Sequence, residues 1–314
     1  MKNRLSRVTL YIWEMFPPHI LILAGFAKFF AVYLGLQALH GDGPVFANWA
    51  SISGAVCLTL FLLLLRVYDE LKDADADIRL GTAGDPRYKD RPIVTGAVKI
   101  EDIIALRWGI TTVLILLHVA AEPLVIATFA AVFFILWLSF KWFFWAAIKD
   151  NLLLALVTHN PLTIVLLMYV FAVFFAQFIE VTVDAASIML LIVGIWMPLA
   201  AWELSRKQRI PEDETDYQTY TKILGMKIAP LAPVVFILIS VMCLVSVSAR
   251  CGLSLIYPAI LIVIAIIVIG GYLRFWLFPT SKNSKLQPFT ELFILTADIG
   301  LLLTIALERG VSWT

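Results

Sequence analysis

Charge is scarce in this sequence, and neither sign prevails. Charged residues make up 15% of its 314 residues, and their formal balance is +1. A chain so nearly neutral has no long-range attraction for nucleic acid, so we expect no nucleic-acid partner. Cysteine is also rare: Cys57, Cys243 and Cys251 lie in or near apolar runs, without the spacing of a metal site. We interpret them as small buried hydrophobic residues.

Apolar residues are abundant instead, at 61% of the chain. A soluble domain is roughly half apolar. One globular core cannot hide this much apolar surface, so the sequence predicts a protein whose solvent is the lipid bilayer. A spanning helix needs about 20 mostly apolar residues. Nine runs qualify, namely 19–39, 46–67, 102–120, 122–140, 151–178, 186–203, 227–248, 253–278 and 288–308.

Polar connections separate these runs, some of them as short as "HGDGP" and "AAEP", and no low-complexity linker appears. We therefore predict one all-α domain over residues 1–314, a polytopic membrane protein with nine transmembrane helices whose polar loops cap a central cavity. The basic segment 1–18 is interrupted by Glu14 and a Pro-Pro pair. It is typical of a short interfacial helix, with Trp13 and Phe16 as anchors.

Basic residues orient the predicted spans. If the N-terminus is cytoplasmic, about twenty Lys and Arg residues fall on the cytoplasmic side and only Arg250 and Arg309 on the other. Cytoplasmic loops of membrane proteins carry such an excess. We expect the N-terminus and the two long polar loops, 69–99 and 203–227, to be cytoplasmic. The C-terminus is then on the opposite side.

The first of these loops opens with a dense acidic run, "RVYDELKDADADIRL" (66–80), directly after an apolar stretch. Asp69, Asp73 and Asp77 are spaced by four and would share one face if the second span continues as a helix. Glu70 lies beside them. Stacked like charges repel, and Mg²⁺ prefers carboxylate, water and phosphate oxygens. The run therefore indicates a Mg²⁺ site; the alternative is a solvated helix end balanced by its own Lys and Arg.

This run resembles the first aspartate-rich motif of the UbiA superfamily of intramembrane prenyltransferases. The downstream stretch "YKDRPIVTGAV" is similar to the family's Arg-Pro-x-x-x-Gly motif, with Arg91, Pro92 and Gly96 in place. The resemblance implies an enzyme that transfers an allylic prenyl group from a prenyl diphosphate to a lipophilic acceptor in the membrane lipid. It implies a Mg²⁺ cofactor held by Asp69, Glu70, Asp73 and Asp77.

The second loop departs from the family pattern, which has a second Asp-x-x-x-Asp motif. "WELSRKQRIPEDETDYQTYTKILG" places Glu212 near one family aspartate and Gln208 near the other, and Gln208 cannot bind a cation as a carboxylate does. Because an altered second motif still has to supply charge, we expect metal ligands among nearby acids. The first choices are Glu203 and Glu212, and Asp213, Glu214 and Asp216 are next in line.

Basic residues on the predicted cytoplasmic side would bind the diphosphate, Arg by two-pronged contacts. The candidates are Arg87, Lys89, Arg91, Lys141, Arg206, Lys207 and Arg209, with Arg91, Lys141 and Glu203 expected to act in catalysis. The family's Tyr-x-x-x-Lys stretch is altered here to "WLSFK", which gives Trp137 and Lys141.

Other polar residues lie at predicted membrane depth, where such groups are functional hypotheses. His159 and Asn160 indicate either an inter-helix hydrogen bond or acceptor binding and proton removal. Glu291 and Asp298 are seven residues apart on one face of the ninth span, and Lys28 is expected to pair with one of them.

Two other functions stay open. A UbiA-type terpene cyclase would ionise the same diphosphate but use an internal double bond as its nucleophile. A non-enzymatic transporter or ion-binding protein would place its acids at the midplane, whereas these acids cluster at one membrane face.

Overall fold

The computed structural model describes residues 3–85, 88–215 and 218–314, and helices dominate this part of the chain. The helices are α1 (Arg4–Met15), α2 (Pro18–His40), α3 (Trp49–Thr82), α4 (Ile100–His118), α5 (Pro123–Phe140), α6 (Ala147–Asp150), α7 (Leu152–His159), α8 (Leu162–Gln177), α9 (Ala185–Ser205), α10 (Tyr220–Ile228), α11 (Ala232–Arg250), α12 (Ile256–Leu277) and α13 (Gln287–Arg309). Two 3₁₀ turns lie at Trp142–Phe144 and Pro211–Asp213. Two short parallel strands, β1 (Val45–Ala47) and β2 (Val311–Trp313), pair Val45 with Val311.

By their internal packing the residues form two compact units. The first comprises Met1–Phe26 and Ile52–Phe143, and the second comprises Ala27–Ser51 and Phe144–Thr314. The single domain over 1–314 stays a prediction.

Eight helical segments in the described part of the chain are long and apolar enough to cross a membrane. They match eight of the nine predicted runs, and the all-α polytopic class is confirmed. The remaining run corresponds to α4, which carries Glu101, Asp102 and Arg107 and is not among the eight. The ninth span therefore stays a prediction.

In the first unit, α2 and α3 approach closely at a glycine. A Cβ atom on Gly25 would lie 2.1 Å from Thr59 Oγ1 and 2.9 Å from the Thr59 Cα. Small residues at such crossings let two backbones come together inside a membrane. Gly25 is therefore required by packing, since no side chain fits between the helices.

The amphipathic helix α1 is fixed to the start of α4 by an ion pair. Arg7 Nε and Nη2 donate to the two carboxylate oxygens of Asp102 at 2.6 and 2.8 Å. The hydrogen bond to Asp102 is the main cause that raises the pKa of Arg7. The Lys99 backbone N–H donates to the same carboxylate at 3.1 Å. The predicted interfacial segment is thus a helix with a defined docking contact.

In the second unit, the fifth predicted span is broken. α7 ends at His159 and α8 begins at Leu162, with Asn160 and Pro161 between them. Proline lacks the N–H that a continuous helix needs. Trp196 Nε1 of α9 donates to Asn160 Oδ1 at 2.7 Å. The inter-helix hydrogen bond expected for this polar stretch is therefore made by Asn160.

Candidate active site

The first acidic run lies on a single long helix. α3 continues without interruption from Trp49 to Thr82, as predicted, so the carboxylates keep helical spacing. The structure groups Glu70 and Asp77 around one cation: Arg91 Nη1 contacts Asp77 Oδ2 and lies 3.8 Å from Glu70 Oε1. The guanidinium also lies over the Tyr88 ring, 4.7 Å from its centre.

The loop after α3 brings Arg91 to this position. A Cβ atom on Gly81 would lie 2.5 Å from Val94 Cγ1 and 3.0 Å from the Tyr88 carbonyl oxygen, so the loop packs directly on the last turns of α3. The loop turns back on itself at Gly96, whose φ is +75°. Glycine adopts this left-handed conformation without a steric penalty. This backbone conformation, and not close packing, accounts for the glycine of the Arg-Pro-x-x-x-Gly stretch, since a Cβ atom on Gly96 would meet nothing within 4 Å.

Asp69 pairs with Lys72 of its own helix, a local charge balance of the kind that the alternative hypothesis for this run predicts. Lys72 Nζ lies 2.9 Å from Asp69 Oδ1 and 4.6 Å from the centre of the Trp142 ring, and the Lys72 side chain is 5% exposed. The sequence shows Lys72 as a basic residue within the acidic run, but it does not show that the side chain is buried. Its burial depends on Trp142, which no local pattern links to α3.

The candidate magnesium ligands of the first run fit in donor type. Mg²⁺ takes oxygen ligands and is usually held by one or two carboxylates with water and phosphate. Asp73 is exposed at the helix surface, while Glu70 and Asp77 pair with Arg91. No group of three or more His, Cys, Asp or Glu side chains among the described residues is arranged to hold a metal ion. A cation bound here would therefore use one or two carboxylates and substrate oxygens.

The second cluster lies at the end of α9. Glu203 accepts two hydrogen bonds from Arg206, from Nε at 2.6 Å and from Nη2 at 3.0 Å. Lys207 Nζ lies 3.1 Å from Glu203 Oε1. These contacts span three and four residues along the chain. They are expected both for an ion pair at a helix end and for a group of cations that is already assembled to bind an anion.

Two further residues of the second loop, Gln208 and Glu214, make hydrogen bonds to uncharged partners. Gln208 is 4% exposed, and its Nε2 donates to the Ala229 carbonyl at 2.8 Å. Glu214 accepts hydrogen bonds from the hydroxyls of Thr219 and Thr221, the latter at 3.0 Å. Gln208, which stands near a family aspartate, thus ties the loop to the segment before α11, and Glu214 fixes the start of α10.

The remaining candidates are dispersed. Glu212 and Asp213 are exposed in the 3₁₀ turn, and Lys89 is exposed in the first loop. Lys141 is exposed after α5, with its ammonium 4.8 Å from the Phe140 ring centre. Arg209 donates to Thr215 Oγ1 at 3.3 Å. Arg87 and Asp216 lie outside the described residues. The metal and diphosphate roles of all these residues stay predictions.

The acids of the ninth predicted span have separate partners. Lys28 Nζ lies 2.7 Å from Asp298 Oδ2, and both side chains are buried. The expected pairing of Lys28 is therefore made with Asp298. Glu291 instead accepts hydrogen bonds from Trp202 Nε1 at 3.0 Å and Gln287 Nε2 at 2.8 Å. His159 Nδ1 lies 3.0 Å from Thr158 Oγ1, and its role in acceptor chemistry stays a prediction.

This architecture is that of a polytopic α-helical integral membrane protein, and two solved structures share it. The apo structure of a UbiA homolog from Aeropyrum pernix K1 superposes with a TM-score of 0.65 at 18% identity, covering 90% of this chain and 98% of that chain. A structure from work on digeranylgeranylglyceryl phosphate synthase in membranes superposes with a TM-score of 0.61 at 12% identity, covering 97% of this chain and 99% of that chain.

The chain therefore has the UbiA fold, and the family resemblance predicted from its motifs is confirmed at the level of the fold. The sequence matches no family model and no curated protein. At these identities the likeness establishes the fold, and the activity has to be argued from the residues.

Proposed function

We propose that this chain is an intramembrane prenyltransferase, which moves an allylic prenyl group from a prenyl diphosphate to a lipophilic acceptor. The observation that carries the proposal is the cluster of Glu70, Asp77 and Arg91 at the end of a membrane-spanning helix, in a chain with the UbiA fold. Burying charges of both signs is costly unless they are paired, and such clusters are candidates for functional sites. A diphosphate and its cation need both signs.

The roles of the residues follow from their charge. Arg91 offers a guanidinium fork that matches phosphate oxygens, and Tyr88 and Asp77 orient it. The carboxylates of Asp73 and Asp77 are the proposed ligands of Mg²⁺. When bound, Mg²⁺ would neutralise the negative charge that develops on the departing diphosphate. In the second unit, Arg206 and Lys207 are proposed as cations that bind phosphate oxygens, and Glu203 contacts both.

The test is consumption of an allylic prenyl diphosphate by the purified chain in lipid nanodiscs, with and without Mg²⁺ and with a panel of acceptors. We expect consumption that requires both Mg²⁺ and an acceptor. Ring-closed products without an acceptor would replace the proposal with a terpene cyclase. No consumption with any acceptor, together with metal-dependent flux across vesicles, would replace it with transport.

Asp73→Asn tests the metal ligand. The substitution removes a charge from an exposed side chain and keeps the volume of that side chain. We expect most turnover to be lost, with thermal stability unchanged or slightly raised in the absence of Mg²⁺. Asp75→Asn is the matched control, because Asp75 is equally exposed two residues away and outside the four-residue spacing. Equal turnover in both variants at saturating Mg²⁺ would contradict the metal role.

Glu203→Gln tests the second cluster, with Glu212→Gln beside it. If Glu203 acts on the diphosphate, turnover falls about 100-fold, which is the effect of losing one electrostatic contact in the transition state. If it only pairs with its neighbours on the helix, turnover hardly changes, since such pairs contribute a few tenths of a kcal/mol. More than about a third of wild-type turnover in both variants would place the second set of ligands elsewhere in the loop.

A further inference from the structure

Arg206, the cation at the end of α9, is connected to α13 by a series of side-chain contacts. Trp202 lies one helical turn before Arg206, and the centre of its ring is 5.2 Å from the guanidinium carbon. The indole N–H of the same tryptophan donates to Glu291 Oε1 at 3.0 Å. Gln287 Nε2 donates to that oxygen at 2.8 Å. The contacts therefore run from Gln287 through Glu291 and Trp202 to Arg206, all within the second unit.

This arrangement limits the freedom of the arginine. α9 ends at Ser205, so Arg206 lies at the C-cap, where no following helical turn supports its side chain. Its guanidinium is held on one side by the Glu203 carboxylate and on another by the indole face of Trp202. A cation over a tryptophan face is stabilised by the ring, provided that the ring keeps its orientation. The hydrogen bond to Glu291 fixes that orientation from another helix.

A helix-end ion pair does not require this connection. An indole N–H needs an acceptor when it is part-buried, and a glutamine or a backbone carbonyl would serve. A carboxylate in a span is more costly, and this one receives two donors. Its negative charge also lies near the indole that carries the Arg206 cation. The arrangement fixes the position of the Arg206 guanidinium, which the packing of α9 on α13 alone does not require.

We propose that Glu291 and Trp202 are positioning residues that hold the Arg206 guanidinium in the orientation in which it binds a diphosphate. The proposal rests on the proposed function, because Arg206 is one of the residues proposed there to bind phosphate oxygens. Neither residue forms or breaks a bond.

The test compares three variants at this position of the fold. Glu291→Leu removes the acceptor and Trp202→Phe removes the donor while keeping a ring face; Glu291→Gln keeps an acceptor oxygen. We expect Glu291→Leu and Trp202→Phe to raise KM for the prenyl diphosphate about tenfold with a smaller change in kcat, since uniform binding is lost. Glu291→Gln should raise KM by less than Glu291→Leu does, because the acceptor oxygen stays and only the negative charge is lost. Equal KM values in Glu291→Leu and Glu291→Gln would overturn the proposal.

Glu308→Leu controls for loss of structure. Glu308 lies near the other end of α13 and accepts hydrogen bonds from the Ser254 backbone and hydroxyl, at 2.8 and 2.5 Å. Removing it should lower the denaturation midpoint and leave KM unchanged. A rise in KM that matches the rise in Glu291→Leu would mean that KM merely follows stability, which overturns the proposal.

A double-mutant cycle shows whether the effect passes through Arg206. In an Arg206→Met background, Glu291→Leu should raise KM no further, because residues that act through one contact are not additive. Additive effects would overturn the proposal.

Calorimetric titration with inorganic pyrophosphate and Mg²⁺ separates this proposal from the proposed function. If the wild-type chain consumes no prenyl diphosphate, the proposed function fails, and the titration still tests Arg206. A similar loss of pyrophosphate affinity in Arg206→Met and Glu291→Leu supports the positioning role. Undiminished affinity in either variant, or no binding by the wild type, overturns it.

Discussion

The buried ion pair between Lys28 and Asp298 gives the most quantitative prediction for this fold. Lys28 is 4% exposed and Asp298 is 3% exposed, and their charged atoms are 2.7 Å apart. Removing one partner leaves the other charge buried without compensation. That typically costs about 3–5 kcal/mol, and insertion scales assign about 3 kcal/mol to a charge at the centre of a spanning helix.

We therefore expect Lys28→Met and Asp298→Asn each to lower the free energy of unfolding by about 3 kcal/mol, roughly a 150-fold change in the folded-to-unfolded ratio. The double variant has no unpaired charge. It should be within about 1 kcal/mol of the wild type, because replacing a whole buried pair is often neutral. The measurement is equilibrium unfolding by SDS in mixed micelles.

Arg250→Met is the matched control, since it breaks an exposed ion pair with Asp184 in the same unit. Its unfolding midpoint should hardly move, as exposed pairs contribute little. The reasoning is refuted if the single variants at Lys28 and Asp298 unfold like this control. It is equally refuted if the double variant shows the sum of the two single losses.

Three further predictions concern docking, packing and orientation. Asp102→Asn should release α1 from α4, and faster proteolysis of the N-terminal segment would report this; unchanged protection would contradict the ion pair as its anchor. Gly25→Ala should lower the free energy of unfolding by about 1–3 kcal/mol by overpacking against Thr59. Gly109→Ala, where a Cβ atom meets nothing within 4 Å, should be neutral or slightly stabilising. Reporters fused after Lys99 and after the C-terminus should show opposite accessibility, and equal accessibility would mean that the count of spans is wrong by one.

The sequence predicts the spans well because the bilayer sets both their length and their composition. It also predicts that α3 continues beyond the apolar core, since the acidic residues keep helical spacing. It does not predict the break between α7 and α8, although Pro161 marks the place, because a proline can kink a membrane helix as well as end it. The status of α4 depends on three charged residues near or within its apolar run, where composition is ambiguous.

The sequence shows the pattern of acidic residues but not the partners of their charges. Asp69, Asp73 and Asp77 form a visible pattern, whereas the structure pairs Asp77 with Arg91 and Asp69 with Lys72. The pairing of Asp77 with Arg91 depends on the path of the loop around Gly96 and on its packing against α3. The pairing of Asp69 with Lys72 is a contact between neighbours three residues apart on α3. Lys28 had two possible acidic partners on one helix face, seven residues apart, and only the packing of the second unit selects Asp298.

The ion pairs of Glu203 are best interpreted together with the residues around them, Trp202 and Glu291. The contacts of Glu203 with Arg206 and Lys207 are those that any helix end would give to this sequence, and such a pair adds little to stability. A pair of that kind has no need of an indole fixed from another helix. The contacts of Trp202 with Arg206 and Glu291 restrict the guanidinium beyond what stability requires. A guanidinium that is ordered before its ligand arrives would bind a diphosphate with higher affinity, because the entropic cost of ordering the side chain is already met.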